Sequence, residues 1–291
     1  MTAEAGRAKT DSSESDDAHG GRRGRRRDAM DTRGRSQLLW DAVFKSLRAI
    51  GKVAQNFYAT IGIFLLAGAS VAIAGTYAFA KYAGHVTSGS TQAFDDAVLR
   101  WIGAHKPASL EPVILEITFL GTGTVVMMIV AVAALFLWLS RHRYSAALLT
   151  IATLGGILLN NLLKAGFGRP RPQIFDWGSH AISSSFPSGH AMSAAVVYST
   201  VAYLAARLQK KHWHRVVTML AAVIIILMIA ATRLYLGVHY PSDVLAGIII
   251  GLAWAGFCMA TLEAIQVYAR RREPRILKDE QPPARDVTTA A

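Results

Sequence analysis

The chain has 291 residues, with 31 Lys and Arg against 19 Asp and Glu, yet only 17% of its residues are charged and 52% are hydrophobic. Soluble domains carry about 25% charge, and here the charge is concentrated toward the ends: residues 57–264 hold only 13 basic and 7 acidic side chains in 208 positions. This excludes a uniformly basic nucleic-acid-binding globule and a wholly disordered chain, and the lone Cys258 excludes a disulfide-stapled secreted domain.

Residues 1–36, rich in Ser, Asp, Gly and Arg, are expected to be a disordered basic tail. The run from Gly20 to Arg27 suits a solvated tail resting on anionic lipid. A twin-arginine export signal would need its apolar stretch much sooner after the arginines. Six uncharged runs follow, at residues 53–80, 117–140, 144–163, 191–206, 216–232 and 244–262. A helix needs about 17–25 apolar residues to cross the hydrocarbon core, so five qualify outright. The fourth is expected to draw flanking residues into its helix, with Arg207 snorkelling to the interface. Too little amphipathic sequence remains to bury six such runs in a soluble protein. The expected fold is therefore all-α, a bundle of six transmembrane helices within residues 37–264, followed by a tail at 265–291.

Lys and Arg near the span ends set the orientation. One face gathers Lys45, Arg48 and Lys52, Arg141 and Arg143, Arg207, Lys210, Lys211 and Arg215, and Arg270, Arg271, Arg272 and Arg275. The other face has Lys81, Arg100 and Lys106 in one connection, Arg169 and Arg171 in the next, and no cation between 234 and 242. Both termini are thus expected in the cytoplasm. Between the first two spans, Phe94, Val98, Trp101 and Ile102 fall at helical spacing with Asp95, Asp96 and Arg100 off the stripe. That pattern fits a short interfacial helix on the outer face, and equally a helix packed on the bundle.

Ionisable groups at membrane depth are expensive and suggest function. With the helix directions above, Lys164 ends the third span, His190 opens the fourth, Arg233 ends the fifth and Asp243 opens the sixth, all on the outer face. His239 lies one turn before Asp243, and the loop bearing Arg169 and Arg171 opens there too. Three fixed cations, Lys164, Arg171 and Arg233, suit a phosphate group. Ser188 at the capping position and the close-approaching Gly189 would make the start of the fourth helix an anion site. Two histidines supply a nucleophile and a proton donor, and Asp243 could accept the His239 N–H.

These residues resemble the motifs of the type 2 phosphatidic acid phosphatases and their vanadium haloperoxidase relatives. Lys164 with Arg171-Pro172 matches the family's first motif, Pro187-Ser188-Gly189-His190 the second, and Thr232-Arg233 with His239 and Asp243 the third. Thr232 stands where the family usually has serine and keeps the hydroxyl. The motifs span residues 164–243, and the six-span arrangement extends the resemblance to about residues 57–264. The resemblance implies that His239 attacks phosphorus, Asp243 orients it, and His190 protonates the leaving oxygen and then activates water. It also implies that Lys164, Arg171, Ser188, Gly189 and Arg233 hold the phosphate oxygens, without metal or other cofactor.

Arg169 lies outside the motif, and is either a second phosphate contact or a loop or headgroup cation. His180 and Asp176 are expected to be solvent-exposed, and His85, His105, His142, His212 and His214 interfacial. Asn160 and Asn161 are expected to hydrogen-bond between helices, and Gly155-Gly156 and Gly121-Thr122-Gly123 to mark close helix packing. The expected function is a cell-membrane lipid-phosphate phosphatase with an extracytoplasmic site. Its substrate could be phosphatidic acid, phosphatidylglycerophosphate or a polyprenyl (di)phosphate, undecaprenyl diphosphate among them. The bilayer is its environment, with no nucleic-acid partner. A phosphorylated-lipid transporter and a vanadate-dependent haloperoxidase are the alternatives.

Overall fold

The computed structural model describes residues 57–175 and 183–279; the expectations for residues 1–36, Asp176 and His180 fall outside these. Among the described residues the elements are helical: α1 (Phe57–Thr87), α2 (Gln92–His105), a 3-10 turn (Ala108–Leu110), α3 (Glu111–Phe119), α4 (Gly123–Leu139), α5 (Arg143–Phe167), α6 (Gly189–Leu208), α7 (His212–Tyr235) and α8 (Pro241–Asp279).

Five helices, α1, α5, α6, α7 and α8, are long and apolar enough to cross a bilayer. Their large side chains point outward as well as inward. Leu66 and Ile73 of α1 are 70% exposed, as side chains facing lipid would be. The second predicted span is not one straight helix. Its chain is broken between α3 and α4, which are bent by 45° and count as a sixth span only if taken together. Thr122 is extended at φ −70° and ψ 148°, and its hydroxyl donates to Phe119 O instead of continuing the helix. Gly121 sits where a Cβ would lie 2.6 Å from Ile229 Cγ2 and 3.0 Å from His190 Cδ2. The break therefore lays the chain directly across the start of α6.

Helix α6 is central, packing against α4, α5, α7 and α8. It begins at Gly189 and ends at Leu208, taking in the flanking residues its short apolar run required. Arg207 does not snorkel freely: it pairs with Glu263 at 2.8 Å and donates to Gln266 at 2.6 Å, both on α8. Small residues bring α6 and α8 together, since a Cβ on Gly247 would lie 2.7 Å from Ser188 O and one on Gly251 2.9 Å from Ala195 Cβ. Gly155 and Gly156 give the close packing expected of them, against Trp254 and Val196. Helix α8 continues past residue 264, the tail boundary drawn from sequence, to Asp279.

Helix α2 is amphipathic. Phe94 and Trp101 are 65% and 64% exposed, whereas Leu99 and the off-stripe Asp95 are fully buried. It packs against α7 and α8, the second of the two readings left open by the sequence, and turns its aromatic side outward.

Candidate active site

Lys164 lies in the last turn of α5, and Gly168 ends that helix in the left-handed region at φ 58°, the conformation glycine adopts without a Cβ penalty. The chain then runs through Arg169 and Arg171 and returns antiparallel, with Ser185 N–H donating to Arg169 O at 2.9 Å. The returning arm captures both phosphate-motif cations. Lys164 Nζ donates to Ser184 O at 2.7 Å and Ser183 Oγ at 3.2 Å, and Arg171 Nε to Ser183 O at 2.8 Å.

Ser188 occupies the N-cap position of α6, but its hydroxyl makes no capping bond. Its backbone N–H instead donates to Asp243 O at 3.0 Å, tying the second motif to the third. Ser188 Oγ is buried without a hydrogen-bond partner, and so is Arg233 Nε. A buried unmatched donor costs about 1–3 kcal/mol, and these two belong to the residues expected to hold an anion. Gly189 approaches Asn160 and Lys164 so closely that a Cβ would sit 3.2 Å from Asn160 Oδ1. Asn160 does bridge helices, donating to Met192 Sδ of α6 at 3.4 Å.

Arg233, in the last turn of α7, is held by a residue outside the motifs. Its Nη1 donates to Thr118 Oγ1 at 2.7 Å, and Thr232 Oγ1 is 2.9 Å from the same oxygen while also donating to Ile229 O at 2.6 Å. The threonine in the serine position thus keeps its hydroxyl at work through Thr118 at the end of α3.

The turn from α7 to α8 carries His239. Pro241 opens α8, needing no N–H donor there, and the Asp243 carboxylate reaches back to Tyr240 N–H at 2.9 Å, as an acidic N3 residue does. His239 Nδ1 is 3.6 Å from Asp243 Oδ2, beyond direct hydrogen-bond length. Ser185 fills the gap: its hydroxyl, 3.4 Å from His239 Nδ1, donates in a short bond to Asp243 Oδ2. In place of the direct Asp243–His239 bond expected from spacing, the structure has a longer contact supplemented by Ser185. His239 Nε2 lies 3.3 Å from Arg171 Nη1, which also donates to Val238 O at 2.8 Å. Burial, opposed by Asp243, pushes the His239 imidazole from 6.5 to about 4, so the ring is neutral at pH 7. Burial likewise lowers Arg171, again opposed by Asp243.

Lys164, Arg171, His190, Arg233 and His239 are close enough for their charges to interact, so the structure gathers the five at one end of the bundle. Arg169 does not join them. Its Nη1 donates to Asp243 Oδ1 at 2.6 Å and Ser242 Oγ at 2.7 Å, its Nη2 to Asp95 Oδ2 and Gln92 Oε1, each at 3.0 Å. The sequence left open a second phosphate contact or a loop or headgroup cation; in the structure Arg169 is a loop cation whose Nη groups donate to protein atoms. Burial works against its charge, but Asp243 and Asp95 outweigh that and raise the guanidinium above its usual range. Among the described residues no three His, Cys, Asp or Glu side chains gather as a metal site.

The chain is similar to known proteins. The model of the PAP2 superfamily matches residues 144–266. Phosphatidylglycerophosphatase B of Bacillus subtilis is 31% identical over 175 residues, 60% of this chain and 86% of that protein. Lipid A 1-phosphatase of Rhizobium etli is 39% identical over 134 residues, 43% of this chain and 50% of that protein. A crystal structure of a transmembrane PAP2 type phosphatidylglycerolphosphate phosphatase from Bacillus subtilis superposes with a TM-score of 0.60 at 27% identity, covering 69% of this chain and 96% of that one. The chain belongs to the PAP2 superfamily, among its membrane lipid phosphatases.

Proposed function

We propose that this enzyme removes phosphate from a lipid phosphomonoester or diphosphate through a phosphohistidine at His239. The observation that carries this reading is the joining of a neutral, buried imidazole to fixed cations and to two buried donors without protein partners, Ser188 Oγ and Arg233 Nε. His239 Nε2 attacks phosphorus, while Asp243 and Ser185 steady the Nδ1 side of the ring. The P–O bond to the lipid breaks as His190 gives its proton to the departing oxygen. His190 then takes a proton from water as the water oxygen bonds to phosphorus and the phosphorus–nitrogen bond breaks, returning its electron pair to His239 Nε2 and releasing phosphate. Lys164, Arg171, Arg233, Ser188 and the Gly189 N–H stabilise the charge on the phosphoryl oxygens. No metal is needed in this scheme.

The lipid character of the substrate is supported by a cavity of about 690 Å³ between α1, α5 and α8, lined by Thr76, Phe79, Leu163, Phe167, Ala253 and Trp254. It reaches Leu163, the residue before Lys164, and its largely apolar lining suits an acyl or prenyl chain. Phosphatidic acid, phosphatidylglycerophosphate and polyprenyl phosphates and diphosphates all fit. The uneven distribution of Lys and Arg supports cytoplasmic termini and an extracytoplasmic site, in what we take to be the cell membrane. Purified enzyme in EDTA is expected to release phosphate from at least one of these lipids in detergent micelles. A preparation inert on all of them would overturn the reading.

A further inference from the structure

Asp95 lies outside the three motifs, 74 residues before Arg169 and 147 before Ser242, yet it is fully buried and meets both. One carboxylate oxygen accepts from Ser242 N–H at 3.0 Å, supplying an acceptor that the first turn of α8 lacks. The other accepts from Ser242 Oγ at 2.5 Å and Arg169 Nη2 at 3.0 Å. Arg169 is sandwiched between this carboxylate and Asp243, with its guanidinium carbon 4.2 Å from the centre of the Tyr240 ring. All four acceptors of its Nη groups are protein atoms, so those donors are committed to the scaffold and not to a phosphate.

Asp243 is correspondingly saturated. Its Oδ1 is held by Arg169, and its Oδ2 by Ser185 and Tyr240 N–H. A buried carboxylate without a cation is costly, and the cation placed beside Asp243 is Arg169, itself balanced by Asp95. The chain of contacts runs from α2 through the α5–α6 loop to the turn that carries His239.

We infer that Asp95 and Arg169 are a positioning pair that holds Asp243, and through Asp243 and Ser185 the His239 ring, in its reactive orientation. This rests on the reading of His239 as nucleophile. Neither residue touches the phosphate; each acts on catalysis through the third motif.

The test compares Asp95→Asn, Arg169→Lys, Arg169→Ala and His239→Ala with the full-length parent on one lipid phosphate. Asp95→Asn keeps the shape but turns an N–H group toward donors. It and Arg169→Lys are expected to lower kcat about 10- to 100-fold while KM stays within about twofold, because lost orientation of the ring weakens the transition state and not lipid binding. Arg169→Ala is expected to regain several-fold in kcat with added guanidinium ion and none with sodium at equal ionic strength. Parental kcat in Asp95→Asn and Arg169→Lys, or a loss in Arg169→Ala that guanidinium leaves unchanged, would overturn the pairing. If His239→Ala is inactive in that case, the nucleophile assignment survives and only the positioning role fails. Turnover by His239→Ala would remove both.

Discussion

Gly121→Ala is a single-methyl test of whether the turn between α3 and α4 sets the position of His190. The added Cβ would lie 2.6 Å from Ile229 Cγ2 and 3.0 Å from His190 Cδ2. Carbon atoms settle at about 3.5–4.0 Å, so Ile229 must retreat by about 0.9 Å and the imidazole by about 0.5 Å, or the α3–α4 turn must lift. Overpacking of this kind costs about 1–3 kcal/mol, and since a misplacement of about 1 Å in a reacting group costs up to about 10²-fold in rate, half that shift in the imidazole costs about tenfold. We therefore expect kcat for phosphate release from a micellar lipid phosphate to fall about tenfold, together with the unfolding temperature. Gly123→Ala is the control, because a Cβ there meets nothing within 4 Å. Equal activity in the two variants would refute the proposal that this turn presses on His190.

Other outcomes follow from the same contacts. Thr118→Val removes the acceptor of Arg233 Nη1 and should lower kcat/KM about 10- to 100-fold, a charged hydrogen bond being worth about 1.5–3 kcal/mol; an unchanged value on the same lipid would contradict the role given to Thr118. Because burial holds His239 near 4, its ring should stay neutral as pH falls from 7 to 5, whereas an ordinary histidine takes up its proton around 6.5. Nitrogen NMR of labelled imidazole should show this, and a His239 signal titrating at the ordinary value would contradict it. The same shift favours the unfolded chain as pH drops from 6.5 toward 4, since only the unfolded histidine gains a proton there. For orientation, in a Cys258→Ser background an impermeant maleimide should label Ser90→Cys in intact cells and Ser140→Cys only after permeabilisation. The reverse pattern would invert the proposed topology.

The positions of the apolar runs were enough to locate α1, α5, α6, α7 and α8, since a span's length and lack of charge are properties of a continuous segment. The break at Gly121 was not visible that way. Three small or hydroxyl residues inside an apolar run barely alter its hydropathy, and their consequence depends on Ile229 and His190 far along the chain. The motif residues converged as expected because helix direction alone places four span ends on one side. Their supports were missed for a common reason. Thr118 to Arg233 spans 115 positions, Ser185 to Asp243 spans 58, and Asp95 to Ser242 spans 147. No local periodicity links such partners. Asp95 did carry a signal, a carboxylate on the side of α2 opposite its aromatic stripe, but the same pattern describes a solvated face. Arg169, two residues from Arg171, resembled another phosphate cation until its two carboxylate partners were placed.

The covalent step is open to direct measurement. Full-length enzyme mixed with a lipid carrying radioactive phosphate, denatured in alkali within the first turnover and digested, should yield a labelled peptide containing His239, with acid-labile, alkali-stable phosphate. Slowing dephosphorylation with His190→Ala and an activated aryl phosphate should increase that label. Active enzyme that carries no label on His239 at any time, or turnover preserved in His239→Ala, would contradict the account.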